Sequence, residues 1–196
     1  MDSRDAIRPI LAGLIGIGLI VLVIVLIIKA FAGGGTSAPT NQIDITKYAS
    51  TPNSSVTLLI DAPTRVNQDH RQVKITVSAS GNEMDVIQGY EGSVMTTQSY
   101  ANNSAAYATF LQTLKLMNFS KGRTSSADYR GYCPTGDRYI FTFYNGENNL
   151  FTYWTTSCGS QGTYEGQLNQ VLQQFQRQIP DTDFNRLTRN IPIFSS

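Results

Sequence analysis

Residues 9–28, PILAGLIGIGLIVLVIVLII, hold no charged residue and no polar one beyond glycine and the leading proline. Twenty residues at ~1.5 Å each make a helix ~30 Å long, the thickness of one bilayer core. In lipid a backbone satisfies its own polar groups only as a helix or a closed barrel, and one segment cannot close a barrel. The run therefore predicts a single transmembrane helix, and the rest of the chain must fold on one side of it. A soluble core helix of this length ordinarily keeps a polar stripe, which is missing here.

A cleaved signal peptide is the rival reading, because Ala30-Phe31-Ala32 has the small-x-small form of a cleavage site. Secretory apolar cores run to only ~7–15 residues, however. The longer core and the interrupting Lys29 favour an uncleaved signal anchor. Arg4, Arg8 and the terminal amine precede the run, and Lys29 stands alone after it until Lys47, so the N-terminus is expected in the cytoplasm. The expected layout is a cytoplasmic tail (1–8), an anchor (9–32), a flexible linker (33–42, GGGTSAPTNQ) and an extracytoplasmic domain (43–196), extracellular or periplasmic. Ala12 and Gly16 form a small-xxx-small pair, a candidate contact for a weak homodimer.

Cysteine usage agrees with export. Cys133 and Cys158 are the only two, and oxidising compartments permit disulfides. One intramolecular bridge is expected, worth on the order of 3 kcal/mol for a loop of about two dozen residues. Three of fifteen Lys/Arg and two of fourteen Asp/Glu precede residue 33, so twelve of each remain and the exported part is formally neutral. No cationic cluster exists to neutralise phosphates, which argues against nucleic-acid binding.

Periodicity gives the architecture. Val56–Asp61, Arg71–Ser80, Met84–Gln88 and Ser93–Ser99 read as strands joined by short turns, hence antiparallel. Asn103 is the expected N-cap of a helix whose stripe is Tyr107, Phe110, Leu111, Leu114 and Met117, with Gly122 as its stop. Arg138–Tyr144 and Leu150–Thr156 read as a hairpin around Asn145-Gly146. A two-residue loop sets Cys133 across from Cys158; a four-residue loop sets Phe143 across from Leu150 and Tyr139 across from Trp154. Both keep the cysteines close. Tyr139, Phe141 and Phe143 share one face, with Leu150, Thr152 and Trp154 together on the return strand. Gly159–Gly162 reads as a turn, Thr163 as the cap of a second helix to about Gln178, Asp181–Arg189 as a short further turn, and Ile191–Phe194 as an edge segment. The expected fold is α+β: after the transmembrane helix, an antiparallel sheet of about five to six strands with two amphipathic helices on one face.

Four stretches carry a resemblance: VIQGYEG (86–92), NNSAAYATFL (102–111), YCPTGDRYIF (132–141) and WTTSCGSQGTYEG (154–166). They resemble small single-span envelope proteins of reduced-genome candidate-phylum bacteria. The resemblance covers most of the exported part and implies a bacterial, exported, one-domain protein, with no activity to carry over.

The inventory of chemistry is thin. His70 lies in a polar turn and reads as a solvated residue. No GxSxG elbow, HExxH helix or Walker loop occurs. Asp181-Thr182-Asp183-Phe184-Asn185 opens like a calcium loop, but Arg186 stands where glycine is required. Neither an enzyme nor a cofactor or metal is expected, and the apolar run lacks the glutamate of a pilin. Recognition remains. Tyr90, Tyr100, Tyr129 and Tyr132 in predicted loops, and Gln167, Gln170 and Gln174 on the outer face of the second helix, form the candidate interaction surface. The favoured partner is another envelope protein, bound or scaffolded; the alternative is a glycan, with the domain adhesive.

Overall fold

The structure, a computed structural model, describes residues 42–125, 127–191 and 193. The described residues belong to one compact unit. The apolar run 9–28, the linker up to residue 41 and the Ala12/Gly16 pair lie outside the described residues. Among those described, no helix is long and apolar enough to cross a membrane.

Seven strands form one antiparallel sheet: β1 (Ser54–Asp61), β2 (Arg71–Ser78), β3 (Asn82–Gln88), β4 (Ser93–Tyr100), β5 (Arg138–Asn145), β6 (Asn148–Thr156) and β7 (Gly159–Gly162). Their spatial order is β4-β3-β2-β1-β5-β6-β7. The chain thus builds two meanders, β1–β4 and β5–β7, joined by the pairing of β1 with β5. After β4 it returns through α1 (Ser104–Leu116) and a long loop to lay β5 on the other edge of β1. The remaining helices, α2 (Leu168–Gln176) and α3 (Asp181–Thr188), follow β7.

Alternation decides which face is covered. Val56, Leu58 and Ile60 of β1, Val73, Ile75 and Val77 of β2, and Tyr139, Phe141 and Phe143 of β5 are buried in one cluster with Tyr107, Phe110, Leu111 and Leu114 of α1, Val171, Leu172 and Phe175 of α2, and Phe184 of α3. Phe119, just past α1, is the hub. Its ring lies 5.6 Å from Phe141 and 6.1 Å from Phe175, inside the range where aromatic pairs attract. The helices therefore cover a single face of the sheet.

The opposite face carries a polar row. Thr76, Thr57, Thr142 and Thr152 stand side by side across β2, β1, β5 and β6. The Thr142 and Thr152 hydroxyls are 3.2 Å apart.

Several elements differ from the sequence reading. Among the described residues there are seven strands instead of five to six, and three α-helices instead of two. Asn103 caps α1 as expected, its Oδ1 accepting from the Ala106 N–H at 2.9 Å. But α1 stops at Leu116, because Asn118 takes a left-handed conformation (φ 56°) well before Gly122. The second helix begins at Leu168, and Thr163 is no cap: its buried hydroxyl accepts from the Trp154 N–H at 3.0 Å, inside the β6–β7 pairing. Gly159–Gly162 is itself a strand. A Cβ on Gly162 would sit 2.8 Å from Thr155 Cα, so only glycine lets β7 approach β6 here.

The β5–β6 hairpin follows neither expected register throughout. Asn145 faces Asn148, but the register shifts beyond Tyr144, so Leu150 is bulged out. Phe143 then opposes Phe151 and Phe141 opposes Tyr153, while Trp154 opposes Ile140 on the other face. The bulge gives Phe141 and Phe143 aromatic partners on the helix-covered face, while Tyr139 opposes Thr155. It also sends Trp154 to the face opposite Phe141.

Candidate functional site: a buried Asp–His–Arg cluster under an aromatic rim

The β1 sequence VTLLID ends on a charge, Asp61. Its side chain points to the face without helices, with Gln72 of β2 on one side and Arg138 of β5 on the other. Two loops bury it. The β1–β2 loop brings His70, and the loop before β5 brings Tyr129 and Tyr132.

Asp61, His70 and Arg138 are 2%, 0% and 3% exposed. Asp61 Oδ1 accepts from His70 Nε2 at 2.7 Å, since a carboxylate can only accept. Gln72 Nε2 donates weakly to the same oxygen at 3.4 Å. Asp61 Oδ2 faces Arg138 Nε at 2.9 Å as an ion pair. That Nε–H has no aligned hydrogen bond, so the attraction there is coulombic. The rest of the guanidinium is used by the β1–β2 loop: Nη2 donates to Ala62 O at 2.6 Å and Nη1 to Thr64 Oγ1 at 3.1 Å. His70 is therefore no solvated turn residue. Loop residues cover it, and its Nδ1 is buried without a hydrogen-bond partner.

Tyr90 closes the cluster from outside. Its backbone N–H donates to Asn67 Oδ1 at 2.8 Å, and its hydroxyl donates to Arg65 O at 2.9 Å and accepts from Arg65 N–H at 3.2 Å. The preceding Gly89 has φ 73°, and a Cβ there would lie 2.8 Å from Asn67 Oδ1. Glycine is what allows this turn to seat Tyr90 over His70.

The second wall is held by the disulfide. Cys133 and Cys158 are bonded, with Cα atoms 5.6 Å apart, and no described cysteine is free. The bridged loop offers the Pro134 carbonyl to Thr64 N–H at 2.8 Å, which ties the two loops together. Trp154 Nε1 donates to Ala127 O at 3.0 Å, and the Tyr132 ring lies 5.0 Å from the indole. Burial foremost, and then the nearby Asp61 charge, holds the Tyr129 phenol above its usual range.

The sequence-derived surface residues thus separate into three groups. Tyr90, Tyr129 and Tyr132 gather at the end of the sheet above the Asp61 cluster. Tyr90 is 47% and Tyr132 39% exposed. Tyr100 lies elsewhere: half-buried, it donates to Asp183 Oδ2 at 3.1 Å and fastens α3 to β4. Gln167, Gln170 and Gln174 belong to the helix layer. Gln167 is the N-cap of α2 without a side-chain bond, Gln170 is exposed, and the Gln174 carbonyl accepts from Gln178 Nε2 at 3.2 Å.

Asp61 and Arg138 were not visible as a site in the sequence. Each is one charge at a strand end, and only the β1–β5 pairing makes them neighbours. Among the described residues no group of three or more His, Cys, Asp or Glu could hold a metal ion. What the cluster does chemically is lock two loops into place, so that Tyr90 and Tyr132 are presented on a rigid base. No family model, curated protein or solved structure matches the chain.

Proposed function

We propose that the chain is a signal-anchored bacterial envelope protein whose exported domain binds or scaffolds another envelope protein and carries out no catalysis. The observation that carries this reading is the asymmetry of the sheet. One face is covered by three helices, while the other bears a threonine row, Thr57 and Thr76 partly exposed, Thr152 exposed and Thr142 buried, with the Tyr90/Tyr132 rim at the Asp61 end of the sheet. Such a face, with the rim fixed by buried charges and a disulfide, is preorganised for contact. The disulfide supports the exported orientation, with the N-terminus cytoplasmic and residues 33–196 outside. A photo-crosslinking amino acid at Thr57 or Thr76 in cells should trap a discrete envelope protein, while one at Gln170 should not. Trapping from Gln170 alone would overturn the assignment of the face.

One observation favours a second reading, glycan binding. Beside the Tyr132–Trp154 pair lies a cleft of about 420 Å³ whose other lining residues include Arg123, Thr124, Gln161 and Thr163. An aromatic wall with convergent polar groups suits a sugar ring. Purified cell-wall glycan should then sediment the full chain but not Tyr132→Ala. Glycan binding with no protein crosslink in cells would exchange the first reading for the second.

A further inference from the structure

The helix layer stops short of one corner of the sheet. Between the end of α3, the β1–β2 loop and β4 lies a groove of about 730 Å³ with Val86, Met95 and Leu187 in its wall. Three arginines line it, Arg65, Arg71 and Arg189, against one carboxylate, Asp69. Among the described residues, Arg123, Arg130, Arg138 and Arg186 are each ion-paired, and these three are not. Arg71 Nη1 reaches only the carbonyls of Gln68 and His70, at 2.7 and 2.9 Å. Three of the four described arginines without a carboxylate partner thus converge on one groove.

The groove adjoins a free sheet edge. Among the described residues β4 pairs with β3 alone, so its other side is the edge of the sheet. Val94 and Met95 are 57% and 53% exposed. From Tyr100 down to Thr96 the pairing with β3 is regular, and Met95 is the bulged residue where it breaks. Every pairing in this sheet is antiparallel. A segment added in the same sense beside Thr96–Tyr100 runs toward Met95 and delivers its C-terminal end to the arginines.

We propose that this corner binds the acidic C-terminal end of an extended peptide. Backbone pairing with β4 supplies the fit, and Arg65, Arg71 and Arg189 take the carboxylates. This is strand addition with terminal-charge capture. It is independent of the face proposed above and stands or falls without it.

The test is selection of random C-terminal octapeptides on the full chain in detergent micelles. Peptides with aspartate or glutamate in the last positions should be enriched, and binding should weaken as salt rises. Arg65→Gln with Arg189→Gln should weaken the selected peptides about tenfold, since each exposed ion pair contributes modestly. Met95→Asp, at an exposed edge position where the fold is not at stake, should abolish binding. The amide resonances of 93–100 should shift on addition of peptide. No acidic enrichment, or acidic peptides that bind the arginine variant equally well, would overturn the proposal.

Discussion

The Tyr90 ring lies flat against the His70 imidazole, with centroids 4.0 Å apart and planes inclined by 13°. Residues from two different turns are thereby stacked over the Asp61 carboxylate, and the aromatic rim is continuous with the buried charges beneath it. His70 is the chain's one histidine, which makes the stack easy to interrogate. In Tyr90→Ala the imidazole loses its cover, and its acylation by diethyl pyrocarbonate should become fast where the wild type is nearly inert. Tyr90→Phe keeps the cover and loses only the hydroxyl contacts with Arg65, so it should stay unreactive and lose about 1 kcal/mol of stability. Equal reactivity in all three proteins would show that Tyr90 is not the lid.

The charges below the lid make a second, larger effect. Breaking a buried pair leaves one charge uncompensated and costs about 3–5 kcal/mol, whereas replacing both partners with apolar groups is often near neutral. Asp61→Asn, which strands Arg138, should therefore lower the urea midpoint sharply. Asp61→Leu combined with Arg138→Met should recover most of the loss. If the double variant is as unstable as the single one, the hydrogen bonds from Arg138 to Ala62 and Thr64 dominate over the ion pair.

The bridge between Cys133 and Cys158 spans 25 residues in sequence, and the chain-entropy model assigns such a loop about 3 kcal/mol. Cys133→Ser with Cys158→Ser should lose a comparable amount. The loss should be local as well as global. The Thr64 N–H, bonded to Pro134 O in the bridged loop, should exchange with deuterium faster than amides of β2. Alkylation of two thiols in the protein isolated without reductant would sink the disulfide assignment.

Much of the fold was readable because it is local. The Asn103 cap, the Tyr107–Leu114 stripe and the alternation through Val73, Ile75 and Val77 are each written within one turn or one strand. The site was not readable, because its members meet only through long-range pairing. Asp61 and Arg138 become neighbours when β5 returns to the free edge of β1, and nothing near either residue announces that return. His70 was misread for the same reason: a polar turn looks solvated until a second turn, carrying Tyr90, is folded over it. The Leu150 bulge escaped because Asn145-Gly146 marks a turn without saying which residues oppose each other. The strand Gly159–Gly162 escaped because glycine has no strand preference and is there for clearance from Thr155.

Acid should unfold the protein partly through Asp44, at the start of the described chain. Its Oδ1 accepts from the Thr46 hydroxyl at 2.7 Å and the Thr46 N–H at 3.2 Å, capping a short 3-10 turn (Ile45–Tyr48), and its Oδ2 meets Lys115 Nζ of α1 at 2.9 Å. The Thr46 hydrogen bond first, and Lys115 after it, hold its carboxyl down to about 2. The Asp183 carboxyl is also lowered, by Arg186 first and then by Tyr100. A folded-state pKa below the unfolded value of ~3.9 contributes stability that is fully present above that value and is lost as pH falls through the folded pKa. The expected window is therefore from about pH 4 down to about pH 2. Asp44→Asn removes one titrating group, so its urea midpoint should vary less steeply than wild type across that window and in parallel with it above pH 5. Adding Asp183→Asn should flatten the acid limb further, because the two carboxylates sit on separate elements and their effects should add. Superimposable acid limbs for wild type and Asp44→Asn would show that the capped turn and its tie to α1 do not contribute to folding.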